Sequence, residues 1–296
     1  MPLRYAFIDF DSFFAAVEQQ VQPELRGRPV GIVPSLGVRT TCCIAASYEA
    51  KARGVKTGTG VDEARRLCPD IRFVEANHRR YVEMHHAINE TIEQLLHVEE
   101  VISIDEVYGV LPGYRRTVKE ARRLGSAIKV ALAEAVGPWV TASIGVAPNR
   151  FLAKIASKMN KPNGMKIIGQ RDLPDVLFGL ELEDIHGVGR RMDARLRQAG
   201  IDSVEALCRA PCRQLRSIWG SVEGERLFWK LQGADFPELE TTRRTVGHSH
   251  VLAPENRTQE RAQAILHYLL HKACRRLRAM DYYTERLTVS VKFDFT

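Results

Sequence analysis

The chain has 296 residues, 45% hydrophobic and 27% charged, with a formal net charge of +7. That is long enough for two or more domains and a sizeable core. No apolar run approaches a membrane span, acids inside MPLRYAFIDFDSFF argue against a signal peptide, and six scattered cysteines without a CxxC pair argue against a zinc site or a disulfide framework.

The first predicted element is a β-rich run, Tyr5 to Asp11 (YAFIDFD). Ser12 to Gln20 then switches to helical spacing, with Phe13, Ala16, Val17 and Gln20 on one face. Gly27 to Pro34 reads as a strand bounded by breakers. Ala45 to Arg53 and Val61 to Leu67 read as short helices on either side of the Gly-rich Lys56 to Gly60. Arg79 to His97 is a longer amphipathic helix, with Ile88, Ile92, Leu95 and Leu96 on its apolar stripe.

VISIDEVYGV, residues 101 to 110, runs an apolar stretch into two adjacent acids. In a regular strand Asp105 and Glu106 point to opposite faces. A hairpin turning at IDEV breaks that alternation and lets both reach one side. Asp9 and Asp11, two residues apart, share a face of the first strand. Carboxylates converging from separate strands suit hard divalent cations, and two such ions can activate an attacking oxygen and stabilise a leaving one. Spacing alone still favours solvated turn acids.

A helix over Thr117 to Val136 ends at Gly137-Pro138, and Trp139 to Ala147 is a strand. Arg150 to Met159 is helical and leads through a turn into a strand ending at Ile168. Lys154, Lys158 and Lys161 lie at i, i+4, i+7. With Arg150, and with Tyr48, Lys51, Arg53 and Lys56 from SYEAKARGVKTG, they form a phosphate-binding candidate; a solvated helix face explains the same spacing. From Gln170 the elements become short helices. Ile185, Gly187, Val188 and Gly189 followed by a basic run suit a helix–hairpin–helix, whose glycines let backbone N–H groups approach DNA phosphates; a plain αα turn explains the same residues.

Residues 243–296 carry 10 Lys/Arg against 5 Asp/Glu, a balance that suits a polyanion. They read as a strand (Arg244 to Val251), a long helix (Thr258 to Met280) and a strand (Glu285 to Phe295). Such a unit exposes a sheet edge, so this last domain is expected to be incomplete here.

IDFDSFFAAVE, ASYEAKARGVKTG, SIDEVYG, SIGVAPNRFLAKIASKMNKPNG and IHGVG occur in that order along the chain. Together they resemble the Y-family DNA polymerases of the DinB/UmuC type. The resemblance implies an α+β right-hand fold with a ferredoxin-like palm (1–10 and 78–168) whose helices lie on one face of the sheet. Small fingers (11–77), a helical thumb with the helix–hairpin–helix (169–236) and a partial α+β little finger (243–296) complete it. The implied activity is low-fidelity, DNA-templated DNA synthesis past damaged bases, with two Mg²⁺ ions.

By the same resemblance, Asp9, Asp105 and Glu106 are the catalytic metal ligands, joined by the Phe10 main-chain carbonyl. Phe14 is the steric gate against a ribose 2′-hydroxyl. Phe13, Phe14, Tyr48, Lys51 and Lys161 bind the nucleotide, Gly187, Gly189 and Arg190 bind DNA, and residues 41–45 roof the nascent base pair. Asp11 has no metal role in this scheme. The implied partners are primer–template DNA, deoxynucleoside triphosphates and a sliding clamp bound beyond residue 296, with the protein a cytoplasmic monomer.

The sequence departs from the family pattern at Lys51, where Arg is usual and its bidentate fork is lost. It departs at Gly60, and at Val107, Gly109 and Val110 behind the acids. Two other readings are a non-catalytic polymerase-like accessory protein and a palm-based nucleotide cyclase. The retained carboxylates argue against the first; the helix–hairpin–helix and basic tail argue against the second.

Overall fold

The structure, a computed structural model, describes residues 2–38, 41–237 and 245–292, the side chain of Pro254 apart. Two compact units divide the chain, residues 1–237 and 238–296.

The first unit is built on a five-stranded sheet. β1 (Tyr5–Phe10) lies at its centre, antiparallel to β6 (Glu106–Val110) on one side and β7 (Ala142–Ala147) on the other. β5 (Glu100–Ser103) pairs with β6, and β8 (Met165–Ile167) runs parallel to β7, giving the order β5-β6-β1-β7-β8. A second sheet, order β3-β2-β4, comprises β2 (Val30–Val33), β3 (Ala45–Ala46) and β4 (Arg72–Glu75). Three short helices accompany it: α1 (Phe13–Val21), α2 (Tyr48–Lys51) and α3 (Val61–Leu67).

Strand alternation divides the five-stranded sheet into two faces. Ala6, Ile8, Phe10, Val107, Ile144 and Val146 pack under α4 (His78–Glu93) and α5 (Val118–Ala135), against Ile88, Ile92, Leu124 and Ile128. Phe7, Tyr108 and Ala147 face the other way, onto α6 (Arg150–Met159). That core continues through Leu152 and Ile155 into the helices α7 (Arg190–Gln198), α8 (Val204–Arg209), α9 (Cys212–Trp219) and α10 (Val222–Leu231). Helices therefore cover both faces, where one was expected.

Two glycines make these contacts possible. A Cβ on Gly145 would stand 2.0 Å from the Ala153 carbonyl oxygen and 2.3 Å from Ser157 N, so α6 lies with its backbone directly on β7. A Cβ on Gly109 would stand 2.3 Å from the His97 carbonyl oxygen and 2.8 Å from Leu96 Cγ. The departure at Gly109 is thus matched by a close approach of the chain leaving α4, and Val107 is fully buried beside it.

Most boundaries follow local chemistry. Asn77, Thr117 and Asn149 cap α4, α5 and α6, each accepting a backbone N–H with its side-chain oxygen. The single helix expected over Ala45 to Arg53 is instead a two-residue strand and one helical turn. Ala45 and Ala46 pair with β2, and Ser47, whose Oγ accepts from Val30 N at 3.0 Å, starts the helix. β4 was not expected, because Arg72–Glu75 becomes a strand only through parallel pairing with β2, some forty residues earlier.

In the second unit α11 (Gln259–Ala279) forms as expected. The flanking strands do not: among the described residues, 245–251 and 285–292 contain no strand. An isolated pair of extended segments lacks the partners that stabilise a ladder. The rest of those two expectations, residues 244 and 293–295, lies outside the described residues. Among the described residues no helix is long and apolar enough to cross a membrane.

Candidate active site

The acids sit where β1 meets the β5–β6 hairpin. Register places Asp9 directly opposite Glu106 on β6 and opposite Ser143 on β7. Directly opposed residues on one face have Cβ atoms about 5 Å apart. Asp105 belongs to the turn between β5 and β6, so the adjacency of Asp105 and Glu106 never has to obey strand alternation. The pairing also slips between Val101 and Ser103, leaving Ile102 as an extra residue that bends the hairpin. Phe10 N donates to the Asp105 carbonyl at 2.9 Å, and Ser103 Oγ donates to its carboxylate at 2.6 Å.

Two lysines hold the other carboxylates. Lys154 Nζ on α6 lies 2.8 Å from Glu106 Oε2, and Lys161 Nζ pairs with Asp9 Oδ1. Burial pushes Asp9 up to about 6; Lys161 opposes the rise, while Glu106 and Asp105 add to it. Asp9, Asp105 and Glu106 form a hard oxygen donor set, suited to a divalent ion that prefers carboxylates. They are neighbours that do not yet converge: among the described residues no three acidic, histidine or cysteine side chains already surround one point. Ammonium groups thus sit against two of the three.

The lysine stripe does not act as one face. Lys154 and Lys161 turn to the carboxylates, whereas Lys158 is exposed. Arg150 pairs with Glu100 at 2.9 Å and stacks over the Tyr108 ring, and Arg53 pairs with Asp70.

Asp11 has a distinct task. It is buried and accepts from Asn163 N (2.7 Å), Ser143 Oγ (2.8 Å), Thr141 Oγ1 (3.0 Å) and Tyr48 OH (3.4 Å). One carboxylate thereby ties α2, β7 and the turn after α6 to the end of β1. Burial and then Asp11 push the Tyr48 hydroxyl well above its ordinary value. Lys51 Nζ donates to Ser12 Oγ at 2.7 Å and lies over the Tyr48 ring; burial and then the Lys161 charge hold it below the usual lysine value. Ser12, at φ 47, occupies the left-handed region between β1 and α1, a strained position beside the acids. Tyr48, Lys51 and Lys161 are therefore brought to one place beside Asp9.

Phe14 stacks on Tyr81, ring centroids 4.3 Å apart, and meets His78 edge-on. Phe13 departs from expectation: it is 3% exposed and packs in the core beside Phe10 and Tyr81, so its side chain cannot line a nucleotide site. Among residues 41–45, Cys43 is likewise buried in the core of the small sheet and cannot face a base. Gly187, at φ 89, Gly189 and Arg190 lie exposed at the entry to α7, and among the described residues nothing crowds either glycine. Ser103 and Tyr81 escaped sequence reasoning. Ser103, two residues before Asp105, carried the signal of a local side-chain cap; Tyr81 carried none.

Residues 8–158 match the model of the impB/mucB/samB family, and residues 243–296 match that of the family's C-terminal domain. The chain is 31% identical over 293 residues to "DNA polymerase IV 1" of Bacillus subtilis, covering 97% of this chain and 69% of that one. It is 33% identical over 289 residues to "DNA polymerase IV" of Moorella thermoacetica, covering 96% and 72%. Among solved structures it resembles the "Insertion ternary complex of Dbh DNA polymerase" (TM-score 0.70, 29% identity, 79% of this chain and 69% of that one). It also resembles the "Y-family DNA polymerase chimera Dbh-Dpo4(243-245)-Dbh" (TM-score 0.79, 26% identity, 92% and 80%).

Proposed function

Because the chain belongs to the impB/mucB/samB family, the Y-family DNA polymerases, we propose that Asp9, Asp105 and Glu106 form its nucleotidyl-transfer centre. The chain is a DNA-directed DNA polymerase of translesion synthesis, adding deoxynucleotides to a primer on template DNA. The observation that carries the assignment of the centre is the register of Asp9 opposite Glu106, with Asp105 on the adjoining turn.

Divalent metal use follows from the family; magnesium, and two ions of it, are what the resemblance to these polymerases implies, and the oxygen-only donor set suits a hard cation. Held by Asp9, Asp105, Glu106 and the Phe10 carbonyl, these ions would supply the positive charge that favours attack of the primer 3′-hydroxyl on the α-phosphate. Tyr48, Lys51 and Lys161 bind the β and γ phosphates. With nucleotide bound, Lys161 would exchange its Asp9 partner for a phosphate oxygen. Lys51 offers a point charge without a fork, and its bond to Ser12 aims it. Phe14, braced by Tyr81, excludes a 2′-hydroxyl. Gly187, Gly189 and Arg190 hold the DNA backbone.

We read residues 1–10 and 78–168 as palm, 11–77 as fingers, 169–236 as thumb and 243–296 as little finger. The strands of the large sheet, those of the small sheet and the unit boundary at residue 237 support this division. We read the protein as a cytoplasmic monomer. The accessory-protein reading is not favoured, since all three carboxylates are present.

Primer extension with Mg²⁺, primer–template and deoxynucleotides tests the centre. Asp105→Ala should lower incorporation by at least about a hundredfold, as expected when charge stabilisation at a reacting phosphate is removed. Full incorporation by that variant would sink the mechanism. Phe14→Ala should admit ribonucleotides; unchanged sugar discrimination would reject the gate.

A further inference from the structure

The turn that carries Asp105 is anchored at three points. Two are close in the sheet: Ser103 Oγ on the carboxylate and Phe10 N on the carbonyl. The third comes from α4, where His85 Nδ1 lies 2.9 Å from the Ile104 carbonyl oxygen. A carbonyl oxygen only accepts, so Nδ1 carries the proton. Nε2 is then free to accept, and Asn89 Nδ2, one helical turn along, lies 2.8 Å from it. Among the described residues the buried Asn89 Oδ1 has no hydrogen-bond partner, and the amide bonds through its Nδ2 to His85. The His86 ring meets the His85 ring edge-on at 5.7 Å, which further restricts its rotation.

We propose that His85 is a positioning residue for the Asp105–Glu106 pair, acting through the Ile104 carbonyl, with Asn89 holding its tautomer. Ser103 and Phe10 belong to the sheet itself and move with the hairpin or with β1. His85 instead ties the turn to α4, whose Tyr81, Ile88 and Ile92 are fixed in the core. Ion-binding groups must be held within about half an ångström of their working geometry, and that precision comes from supporting hydrogen bonds on rigid elements. This inference rests on the reading of Asp105 and Glu106 as ion-binding.

The test compares the full chain with His85→Leu, His85→Asn and Asp105→Asn in steady-state primer extension. It also measures Mn²⁺ binding to the protein without nucleotide by electron paramagnetic resonance. His85→Leu should lower kcat about tenfold, leave KM for the nucleotide within about twofold, and weaken Mn²⁺ binding about threefold or more. His85→Asn, whose Nδ2 can stand where Nδ1 stands, should recover most of both losses. If Asp105→Asn leaves extension and Mn²⁺ binding intact, the ion-binding reading itself fails, and the His85 role with it. If Asp105→Asn abolishes both while His85→Leu changes neither, the positioning role alone is overturned. Equal losses in His85→Leu and His85→Asn also overturn it, because ring volume would then matter and the donor would not. Should His85→Leu fail to fold, Asn89→Leu takes its place, with the same split between kcat and KM expected and an unchanged kcat counting against the proposal.

Discussion

Tyr5–Phe10 and Glu285–Lys292 are both short β-rich runs, and they end in opposite states. The first is the middle strand of a five-stranded sheet, paired on both edges and covered on both faces. The second forms no strand, and its Leu287, Val289 and Val291 are 64%, 51% and 61% exposed. A β-rich run is an offer of backbone donors and acceptors; only a neighbouring ladder takes it up. The consequence for function is direct. Asp9 is held in place because its strand is paired and covered on all sides, so a charged group can be kept where burial disfavours it.

Truncating a core side chain of the first region should cost most. Ile8→Ala should lower the unfolding free energy by about 2–5 kcal/mol, read by urea denaturation. An effect below that range would show that the sheet collapses around the cavity more readily than its packing suggests. Next comes the backbone contact between β7 and α6. Gly145→Ala should destabilise by about 1–3 kcal/mol and weaken the Lys154–Glu106 pairing, because α6 must lift off the sheet.

The pH dependence of stability should report Asp9. Its proton is held more tightly in the folded protein than in the unfolded chain, up to about 6. The folded state therefore binds more protons between about pH 4 and pH 6, and in the absence of divalent ions stability falls as pH rises through that window. The loss is about 3 kcal/mol at most, and Asp9→Asn should remove it. A wild-type stability profile parallel to that of Asp9→Asn would contradict this. The smallest effect belongs to the other region: Leu287→Ala should change stability by less than about 0.5 kcal/mol. A larger loss would mean that this run is buried in the working protein, and the contrast between the two regions would then disappear.

The hairpin at Ile104–Asp105 and the helical periods of α4, α5 and α6 were legible in the residues; the trio Tyr48, Lys51 and Lys161 comes through the family resemblance, since spacing groups Lys161 with Lys154 and Lys158. Of the small sheet only β2 was legible, between its breakers; β3 and β4 are too short to show a period and exist through pairing with β2. The burial of the Phe13 side chain was illegible for a related reason. Two adjacent phenylalanines at the start of α1 look alike in sequence, and only the packing of α1 decides that Phe13 is core beside Phe10 and Tyr81 while Phe14 is half-buried between Tyr81 and His78.

By itself the sequence determined which chemical groups this protein possesses: three carboxylates on two short segments, the lysines to neutralise them, and ordered motifs that resemble those of a polymerase. Tertiary structure alone decided how they are used. Register set Asp9 beside Glu106, Gly145 let α6 bring Lys154 down onto the sheet, four donors from distant segments claimed Asp11, and α4 delivered His85 to the turn. Periodicity and capping act over a few residues and leave a trace in the order of side chains. Pairings between separate segments, from 19 positions apart (His85 and Ile104) to 152 (Asp11 and Asn163), depend on strand register and close backbone approach, and short-range order carries no record of either.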